Sequence, residues 1–302
     1  MNKVNSALVK ILPLVPRSIV RKFANRYIAG DSLVDAVELT RKLNDNGIMS
    51  TLDVLGEFVT TETEAAESKI ECIEALEAID KHKLDSNLSL KLTQLGLKID
   101  FDFCLNNLIE ILNAAKSFKR FVRIDMEDSS CTDDTFSIVS KAREFYPDCG
   151  FVVQAYLRRT FDDVKRIIDS ANSKVNFRLC KGIYVEPEEI AFKKKEEINR
   201  NFLKSLRLML ENNCYVGIAT HDESLVSGAY QMINELKKKK SEYEFQMLLG
   251  VKEGLRDKIL RDGHRLRIYI PYGKNWYGYS IRRFKENPQI AGYILKSLFT
   301  RR

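Results

Sequence analysis

The amino-acid sequence predicts an α/β domain, a (β/α)8 barrel. Eight short apolar segments of strand length alternate with longer segments whose apolar residues recur at helical spacing. The alternation extends over about 250 residues, the usual size of such a barrel. No G-x-G-x-x-G sequence follows any of the strands, which argues against an open dinucleotide-binding sheet. A closed barrel of parallel strands is therefore the simplest prediction.

The predicted elements follow one another in regular order. Asp31 and Ser32 form an N-terminal cap, apolar residues recur from Leu33 to Leu43, and Gly47 ends this first helix of the domain. Strands are predicted at residues 48–55, 88–92, 121–126, 151–156, 175–180, 215–219, 244–248 and 266–270. Helices are predicted at residues 60–81, 103–115, 133–145, 161–171, 188–212, 223–239 and 252–261, and a last helix follows strand eight. No repeat or Pro/Gly linker divides the chain, so residues 31–302 are predicted to form a single domain.

The composition limits the classes of function. The 302 residues include 49 Lys+Arg and 42 Asp+Glu, and the net charge of +7 suits an anionic ligand or membrane surface without requiring nucleic acid. The six cysteines contain no C-x-x-C pair, and there are only three histidines. These counts argue against a zinc site or a disulfide framework and favour a reducing compartment.

Residues 1–30 differ from the rest of the chain, because they contain six basic residues and no acidic one. The apolar run at residues 8–15 is too short to span a bilayer, and no small-residue cleavage site follows it. We predict a basic amphipathic helical segment. It either lies on an anionic membrane surface or docks on the main domain.

Polar residues accumulate at the carboxyl ends of the predicted strands, where barrels of this class build their active sites. They are Lys91, Asp125, Gln154, Arg178, Lys181, Thr220, His221, Asp222, Gln246 and Tyr269. Taken singly, each is as well explained by a satisfied buried hydrogen bond or ion pair. Together they predict a positively charged site that holds an anion. His221 has no companion at metal-ligand spacing, so we predict no metal site and expect His221 to hydrogen-bond or stack with a ligand.

The last helix carries a second group of charged residues. Its members Tyr279, Arg282, Arg283 and Glu286 recur at i, i+3, i+4 and i+7, which places them on one helical face. Two guanidinium groups suit a carboxylate or phosphate, although a solvated face with an intrahelical ion pair gives the same pattern. No serine or cysteine has the surroundings of a nucleophile. The residues alone therefore predict an anion-binding barrel enzyme and leave the reaction open.

Two other functions fit the same residues. Lys91 could form a Schiff base in a barrel aldolase, with Arg282 and Arg283 holding a substrate phosphate. Alternatively, a non-enzymatic basic protein could use residues 1–30 and the lysine runs to bind nucleic acid or membrane. The near balance of charge outside residues 1–30 makes this the weaker interpretation and argues against a nucleic-acid partner.

Beyond these general features, the sequence resembles the proline dehydrogenases, in particular the short monofunctional bacterial type. The resemblance is carried by the first helix of the domain and by L-K-L-T-Q-L-G at 90–96, V-R-I-D-M-E-D-S at 122–129, V-Q-A-Y-L-R-R at 153–159, R-L-C-K-G at 178–182, A-T-H-D at 219–222, E-F-Q-M-L at 244–248 and R-I-Y-I-P at 267–271. It implies a distorted TIM-type barrel with the last helix lying over the barrel mouth. It also implies FAD-dependent oxidation of L-proline to Δ1-pyrroline-5-carboxylate, by hydride transfer to flavin N5. The protein would be cytoplasmic or peripheral on the inner face of the cytoplasmic membrane, with membrane quinone as electron acceptor.

The resemblance also implies roles for individual residues. Substrate binding is implied for Lys91, Leu248, Tyr279, Arg282 and Arg283, and catalytic roles for Asp125, Arg178 and Tyr269. Contacts with FAD are implied for Met126, Gln154, Arg178, Lys181, Gly182, Ile183, Thr220 and His221. Glu57 would pair with Arg282 in the empty site, and Glu286 would support the arginines. Ile183 and Cys180 depart from the alanine and valine of the family, while Tyr269 argues for proline over hydroxyproline. A hydroxyproline-oxidising relative is the nearest alternative.

Overall fold

The computed structural model describes residues 17–56 and 58–286, and for residues 18, 19 and 282–286 it describes the backbone alone. Eight parallel strands close into a barrel in chain order, and the last strand pairs with the first. The strands are β1 (Met49–Val54), β2 (Ser86–Leu90), β3 (Val122–Ile124), β4 (Cys149–Gln154), β5 (Asn176–Cys180), β6 (Tyr215–Ala219), β7 (Tyr243–Leu248) and β8 (Leu266–Tyr272). The predicted (β/α)8 barrel is confirmed.

Helices alternate with the strands, and all except the first and the last cover the outside of the barrel. They are α1 (Arg17–Ala24), α2 (Leu33–Asn44), α3 (Glu62–Lys81), α4 (Phe101–Phe118), α5 (Thr132–Phe145), α6 (Thr160–Ser170), α7 (Lys195–Glu211), α8 (Glu223–Glu235), α9 (Glu253–Arg261) and α10 (Trp276–Glu286). Reciprocal capping boxes begin α2, between Ser32 and Asp35, and α3, between Thr61 and Glu64. Within the described ranges, no helix combines the length and the apolar character needed to cross a membrane.

Helices α1 and α10 pack together above the carboxyl ends of the strands. Val20 and Ala24 of α1 share an apolar cluster with Tyr279 and Ile281 of α10. The cluster also contains Leu55, which directly follows β1 and so places both helices at the barrel mouth. The last helix therefore lies over the mouth, as predicted. The described part of the N-terminal segment docks on the domain, and residues 1–16 lie outside the described residues.

Five strands, β1, β2, β3, β4 and β8, end at other positions than predicted. The differences at β2, β3 and β8 change the setting of one site residue each. β2 and β3 end one residue before Lys91 and Asp125, so these side chains follow their strands and do not lie within them. The carbonyl of Lys91 accepts the N–H of Gln94 and begins a short 3-10 turn in place of a continued ladder. β8 is longer than predicted, so Tyr269 lies in the middle of the strand and not at its end.

Residues 181–194 form a loop, although the sequence predicted that a helix begins at residue 188. A β-bridge joins Ala191 to Leu157, and the Glu186 carboxylate accepts the N–H and the hydroxyl of Ser129, both at 2.7 Å. These partners come from distant parts of the chain and override the local helical propensity of the segment. Helix α7 therefore begins only at Lys195.

Candidate active site

A cavity of about 840 Å³ opens at the carboxyl ends of the strands, where Tyr279 of α10 forms part of its wall. Its volume is typical of small-molecule and cofactor sites. The predicted residues that the structure brings to this wall are Lys91, Asp125, Met126, Gln154, Arg178, Lys181, Gly182, Ile183, Thr220, His221, Asp222, Gln246, Leu248, Tyr269 and Tyr279. Within the described ranges, no group of three His, Cys, Asp or Glu side chains is placed to hold a metal ion. The structure thus gathers these residues at one site, while the role of each stays a prediction.

Asp125 is the centre of a hydrogen-bond network at the barrel mouth. Its Oδ1 accepts from Arg178 Nη1 at 2.6 Å and from Ser89 Oγ at 2.7 Å, and its Oδ2 accepts from the Tyr269 hydroxyl at 2.7 Å. Burial alone would raise the pKa of Asp125, but the charges of Arg178 and Lys91 and these hydrogen bonds hold the pKa below its ordinary value. The carboxylate is therefore ionised and orients the side chains that donate to it.

Tyr269 serves in this network as a donor. Burial, and next the negative charges of Asp125 and Asp53, raise the pKa of Tyr269 well above its usual value. Its ring also faces Arg178, whose guanidinium carbon lies 5.2 Å from the ring centroid. A phenol that stays protonated at neutral pH cannot act as a base, so its role is to position its neighbours.

Arg178 is also held by Gln246, which is oriented in turn by the buried ion pair of Glu244 and Arg267. Its Nε donates to Gln246 Oε1 at 2.6 Å, and Gln246 Nε2 donates to Glu244 Oε1 at 2.6 Å. Glu244 also accepts from Arg267 Nε at 2.6 Å and from the Tyr215 hydroxyl at 2.7 Å. Burial opposes ionisation of Glu244, but Arg267 and these hydrogen bonds outweigh it and lower the pKa to about 2. Because an ionised carboxylate only accepts, Glu244 turns the amide oxygen of Gln246 towards Arg178.

Asp53, which was not among the predicted site residues, is a further carboxylate of the site. It lies in β1 with 1% of its surface exposed, and its Oδ1 accepts from Lys91 Nζ at 3.0 Å. Lys91 Nζ also lies 3.9 Å from Asp125 Oδ2. Burial raises the pKa of Asp53, and this effect exceeds the opposing attraction of Lys91. The sequence did contain a signal, since an acidic residue inside an apolar strand is costly to bury without a partner.

A second ion-paired group lies after β5 and β6. Lys181 Nζ is 2.6 Å and Lys195 Nζ is 3.2 Å from Asp222 Oδ2. Asp222 is also the N-cap of α8, where it accepts the N–H of Ser224 at 3.1 Å. Burial would raise the pKa of Asp222, but its hydrogen bonds lower the pKa far below the ordinary value. Two ammonium groups at a helix N-terminus suit a phosphate group.

Gln154 presents an unpaired acceptor at the cavity. Its amide nitrogen donates to the carbonyls of Met126 and Glu127 at 3.1 and 2.8 Å. Its Oε1 is buried and has no hydrogen-bond partner in the part of the chain that the structure describes. Nearby, His221 Nε2 accepts the N–H of Leu248 at 2.9 Å, so this ring nitrogen carries no proton. A buried acceptor without a donor is costly, and Gln154 Oε1 is therefore suited to an N–H group of a ligand.

The rim of the cavity after β5 requires a glycine. Gly182 has a φ of 101°, and a Cβ at this position would overlap the ring of Tyr156. The next residue, Ile183, keeps 51% of its surface exposed, so the rim has room for a side chain larger than alanine. Cys180 is partly exposed at the same edge, and burial raises the pKa of its thiol to about 11, which keeps it neutral.

The structure does not describe the side chains of four predicted site residues. Glu57 and the side chains of Arg282, Arg283 and Glu286 lie outside the described residues. The backbone of the last three belongs to α10, which lies over the mouth. Substrate binding by Arg282 and Arg283 and the pairing of Arg282 with Glu57 therefore stay predictions.

Comparison with known proteins gives one consistent family. The family model described as proline dehydrogenase matches residues 36–294. Proline dehydrogenase 1 of Bacillus subtilis (strain 168) is 38% identical over 275 residues, which cover 91% of this chain and 90% of that protein. The proline dehydrogenase of Deinococcus radiodurans is 31% identical over 280 residues, which cover 91% of this chain and 89% of that protein.

A solved structure has the same barrel. Proline utilization A from Bdellovibrio bacteriovorus, inactivated by N-propargylglycine, matches with a TM-score of 0.83 and 26% identity. The match covers 89% of this chain and 33% of that longer chain, so the present chain spans about a third of it. The family model and the Bacillus relative each extend over most of the sequence and agree with the closed barrel. The chain belongs to the proline dehydrogenase family.

Proposed function

We propose that the protein oxidises L-proline to Δ1-pyrroline-5-carboxylate, with FAD as the hydride acceptor. The observation that carries this proposal is the cavity at the strand ends, where Lys91 lies beside the network of Asp125, Arg178 and Tyr269. Lys91 is a cation on the wall of this cavity, where it is paired with Asp53, and the relatives named proline dehydrogenase support proline as the anionic substrate.

Two features of the cavity support a flavin nucleotide as the cofactor. Gln154 Oε1 is a buried acceptor in need of a donor, and a flavin ring offers an N–H group. Lys181 and Lys195 at the N-terminus of α8 suit the phosphates. When bound, FAD supplies a two-electron acceptor for the hydride. We propose that it is held by Met126, Gln154, Arg178, Lys181, Gly182, Ile183, Thr220 and His221.

The substrate would be oriented by its carboxylate. We propose that Lys91, Arg282 and Arg283 bind this group, while Leu248 and Tyr279 pack against the ring. The carboxylate is remote from C5, the carbon that is oxidised, so binding energy at this end fixes the position of C5 without opposing the reaction. In the empty site we propose that Glu57 pairs with Arg282 and that Glu286 supports the arginines. A crystal structure of the unliganded protein with Glu57 and Arg282 far apart would refute that pair.

The surroundings of Lys91 disfavour the aldolase alternative. A Schiff-base lysine must react as a neutral amine. Lys91 Nζ lies 3.0 Å from Asp53 and 3.9 Å from Asp125, and two carboxylates at these distances favour the ammonium form. Borohydride trapping of a carbonyl substrate on Lys91 would contradict this conclusion.

The preference for proline over hydroxyproline rests on Tyr269. Its ring is fixed at the mouth by the hydrogen bond to Asp125 and leaves less room than a smaller side chain would. We expect a higher kcat/KM for L-proline than for 4-hydroxyproline. The opposite order of the two values would assign the protein to the hydroxyproline-oxidising relatives.

We further propose that membrane quinone reoxidises the flavin and that residues 1–30 provide peripheral contact with the inner face of the cytoplasmic membrane. Helix α1 docks on α10, so a truncation that tests membrane contact should remove residues 1–16 and stop there. This truncation should weaken binding to anionic vesicles and leave turnover with a soluble quinone analogue unchanged. Equal vesicle binding by both forms would contradict the membrane role.

The visible absorption spectrum before and after anaerobic L-proline tests the main proposal. A flavin spectrum that bleaches with proline is the expected result, whereas a colourless protein that FAD cannot reconstitute would refute it. The Arg282→Met variant should keep its flavin and require much more proline for half-maximal bleaching. Arg261→Met, at the exposed end of α9, is the matched control and should behave like the unmodified protein.

A further inference from the structure

Asp53 stands out at the cavity because one of its oxygens has no partner. Oδ1 accepts from Lys91 Nζ at 3.0 Å, whereas Oδ2 is buried without a hydrogen bond among the described residues. Asp53 nevertheless belongs to the wall of the cavity. A buried carboxylate with an unpaired oxygen is poorly stabilised as an anion, so this position favours the uptake of a proton.

Lys91 thus lies between two carboxylates with opposite surroundings. Asp125 has the three donors described above and stays ionised, while burial and the neighbouring Asp125 both raise the pKa of Asp53. Two acids whose surroundings move their pKa values apart are suited to different roles in proton transfer. Asp125 is suited to keep its charge, and Asp53 is suited to gain a proton.

Among the residues that the structure describes, the other titratable groups around Asp53 do not compete for this role. Those that face it are Lys91 after β2, Asp125 after β3, Tyr269 and Tyr272 on β8, and Cys72 on α3. Burial raises the pKa of Cys72 and of both tyrosines, so these groups already hold their protons near neutral pH. Asp53 is therefore the group in this cluster that is able to take up a proton.

The proposed reaction needs such a group. Near neutral pH the nitrogen of proline is protonated and its carboxyl group is ionised. The nitrogen lone pair must form the C=N bond as hydride leaves C5, so one proton has to leave the nitrogen first. The substrate carboxylate also needs a cation, yet Lys91 is already paired with Asp53. A single proton transfer can meet both needs.

Building on the proposed function, we propose that Asp53 takes up the proton of the substrate nitrogen through Lys91 and thereby releases Lys91 to the substrate carboxylate. Lys91 passes one Nζ proton to Asp53 and receives the proton of the substrate nitrogen. An N–H bond of the substrate breaks and an O–H bond forms on Asp53, and no electrons are exchanged. Before the transfer, Asp53 is negative, Lys91 positive and the substrate neutral. Afterwards Asp53 is neutral, Lys91 positive and the substrate negative, so the net charge of the buried site is unchanged.

A ligand that lacks the nitrogen provides a direct test. Cyclopentanecarboxylate has the ring and the carboxylate but no proton to give, so Asp53 must take its proton from solvent. Calorimetric titration of the flavin-loaded protein, in buffers of different ionisation enthalpy, measures this uptake between roughly pH 6 and roughly pH 9. We expect uptake that approaches one proton per bound ligand as the pH rises. The exposed Asp45→Asn variant, before β1 and so at the far end of the barrel, should behave like the unmodified protein.

The Asp53→Asn variant mimics the protonated carboxyl group. It should bind cyclopentanecarboxylate without proton uptake, because Lys91 is already released. Its turnover with L-proline should fall on the order of 100-fold near neutral pH, the size of a lost proton acceptor, and recover as rising pH supplies neutral amine. A merely structural role for Asp53 would lower turnover by the same factor at every pH.

The outcomes separate the two proposals. Binding without proton uptake by the unmodified protein, or a pH-independent defect in Asp53→Asn, would overturn the role of Asp53 and leave proline oxidation intact. Failure of cyclopentanecarboxylate to bind at all would overturn the carboxylate site and, with it, this inference. Absence of flavin bleaching by L-proline would instead refute the proposed function itself.

Discussion

Replacement of Glu244 by glutamine should destabilise the barrel strongly, although the two side chains have the same shape. Glu244 is 2% exposed and accepts from Arg267 through Nε at 2.6 Å and Nη2 at 3.1 Å. Its pKa falls from 4.5 to about 2 in the folded protein. At about 1.4 kcal/mol per pKa unit, this difference corresponds to about 3.5 kcal/mol of stability at neutral pH. The Glu244→Gln variant also leaves Arg267 as a buried cation without a counter-ion, so we expect a loss of about 3–5 kcal/mol.

Urea unfolding of the flavin-loaded protein, followed by circular dichroism, measures this loss. Glu235→Gln is the matched control, because Glu235 ends α8 and pairs with Arg207 at 2.6 Å, with 58% and 41% of the two side chains exposed. Removal of this exposed pair should cost less than about 1 kcal/mol. A loss below about 1 kcal/mol for Glu244→Gln as well would refute the reasoning, because the buried pair would then contribute no more than the surface pair.

The effect of pH on the two proteins gives the reasoning a second check. Because folding lowers the pKa of Glu244, its contribution is fully present above about pH 4.5 and is lost as the pH falls towards about 2. The difference in unfolding free energy between the unmodified protein and Glu244→Gln should therefore shrink on acidification. A difference that stays constant over this range would show that the ionisation of Glu244 is not its source.

Two further substitutions test the rim of the cavity after β5 and the hydrogen-bond network around Asp125. Gly182→Ala forces a Cβ onto the ring of Tyr156 at a φ of 101°, so the variant should lose flavin more readily, as measured by the fluorescence of released flavin. Flavin retention equal to that of the unmodified protein would contradict this role of the glycine. Tyr269→Phe removes the 2.7 Å hydrogen bond to Asp125, and kcat/KM for proline should fall roughly tenfold, as expected for a bond to a charged group. An unchanged kcat/KM would show that the bond does not contribute.

The sequence predicts the barrel well because the signals for its elements are local. Each strand is a short apolar run, and helices such as α2 and α3 begin at capping boxes that can be read from four consecutive residues. The position of the polar residues follows, since parallel strands bring their carboxyl ends to one face of the barrel. The exact ends of the strands cannot be predicted in the same way. The 3-10 turn after Lys91, for example, depends on hydrogen bonds that form only in the folded protein.

The loop at residues 181–194 shows where local signals fail. Its charged residues have good helical propensity, but Glu186 bonds to Ser129, which lies 57 residues earlier in the chain. Ala191 pairs with Leu157 in the same way. Such partners are invisible to propensity and periodicity, so the segment that carries Gly182 and Ile183 at the rim was predicted only through the resemblance.

The buried charges were within reach of the sequence, because they follow the period of two that defines a strand. Glu244 and Gln246 on β7 are two residues apart, as are Arg267 and Tyr269 on β8, so each pair points to the same side of its strand. In both pairs, the residue nearer the carboxyl end of the strand lines the cavity, and the other lies one layer deeper inside the barrel. The lower layer fixes the upper one, since Glu244 orients Gln246, which in turn holds Arg178. What the sequence could not supply is the pairing between strands. This pairing gives Asp125 three donors and, within the described part of the chain, leaves one oxygen of Asp53 without a hydrogen bond.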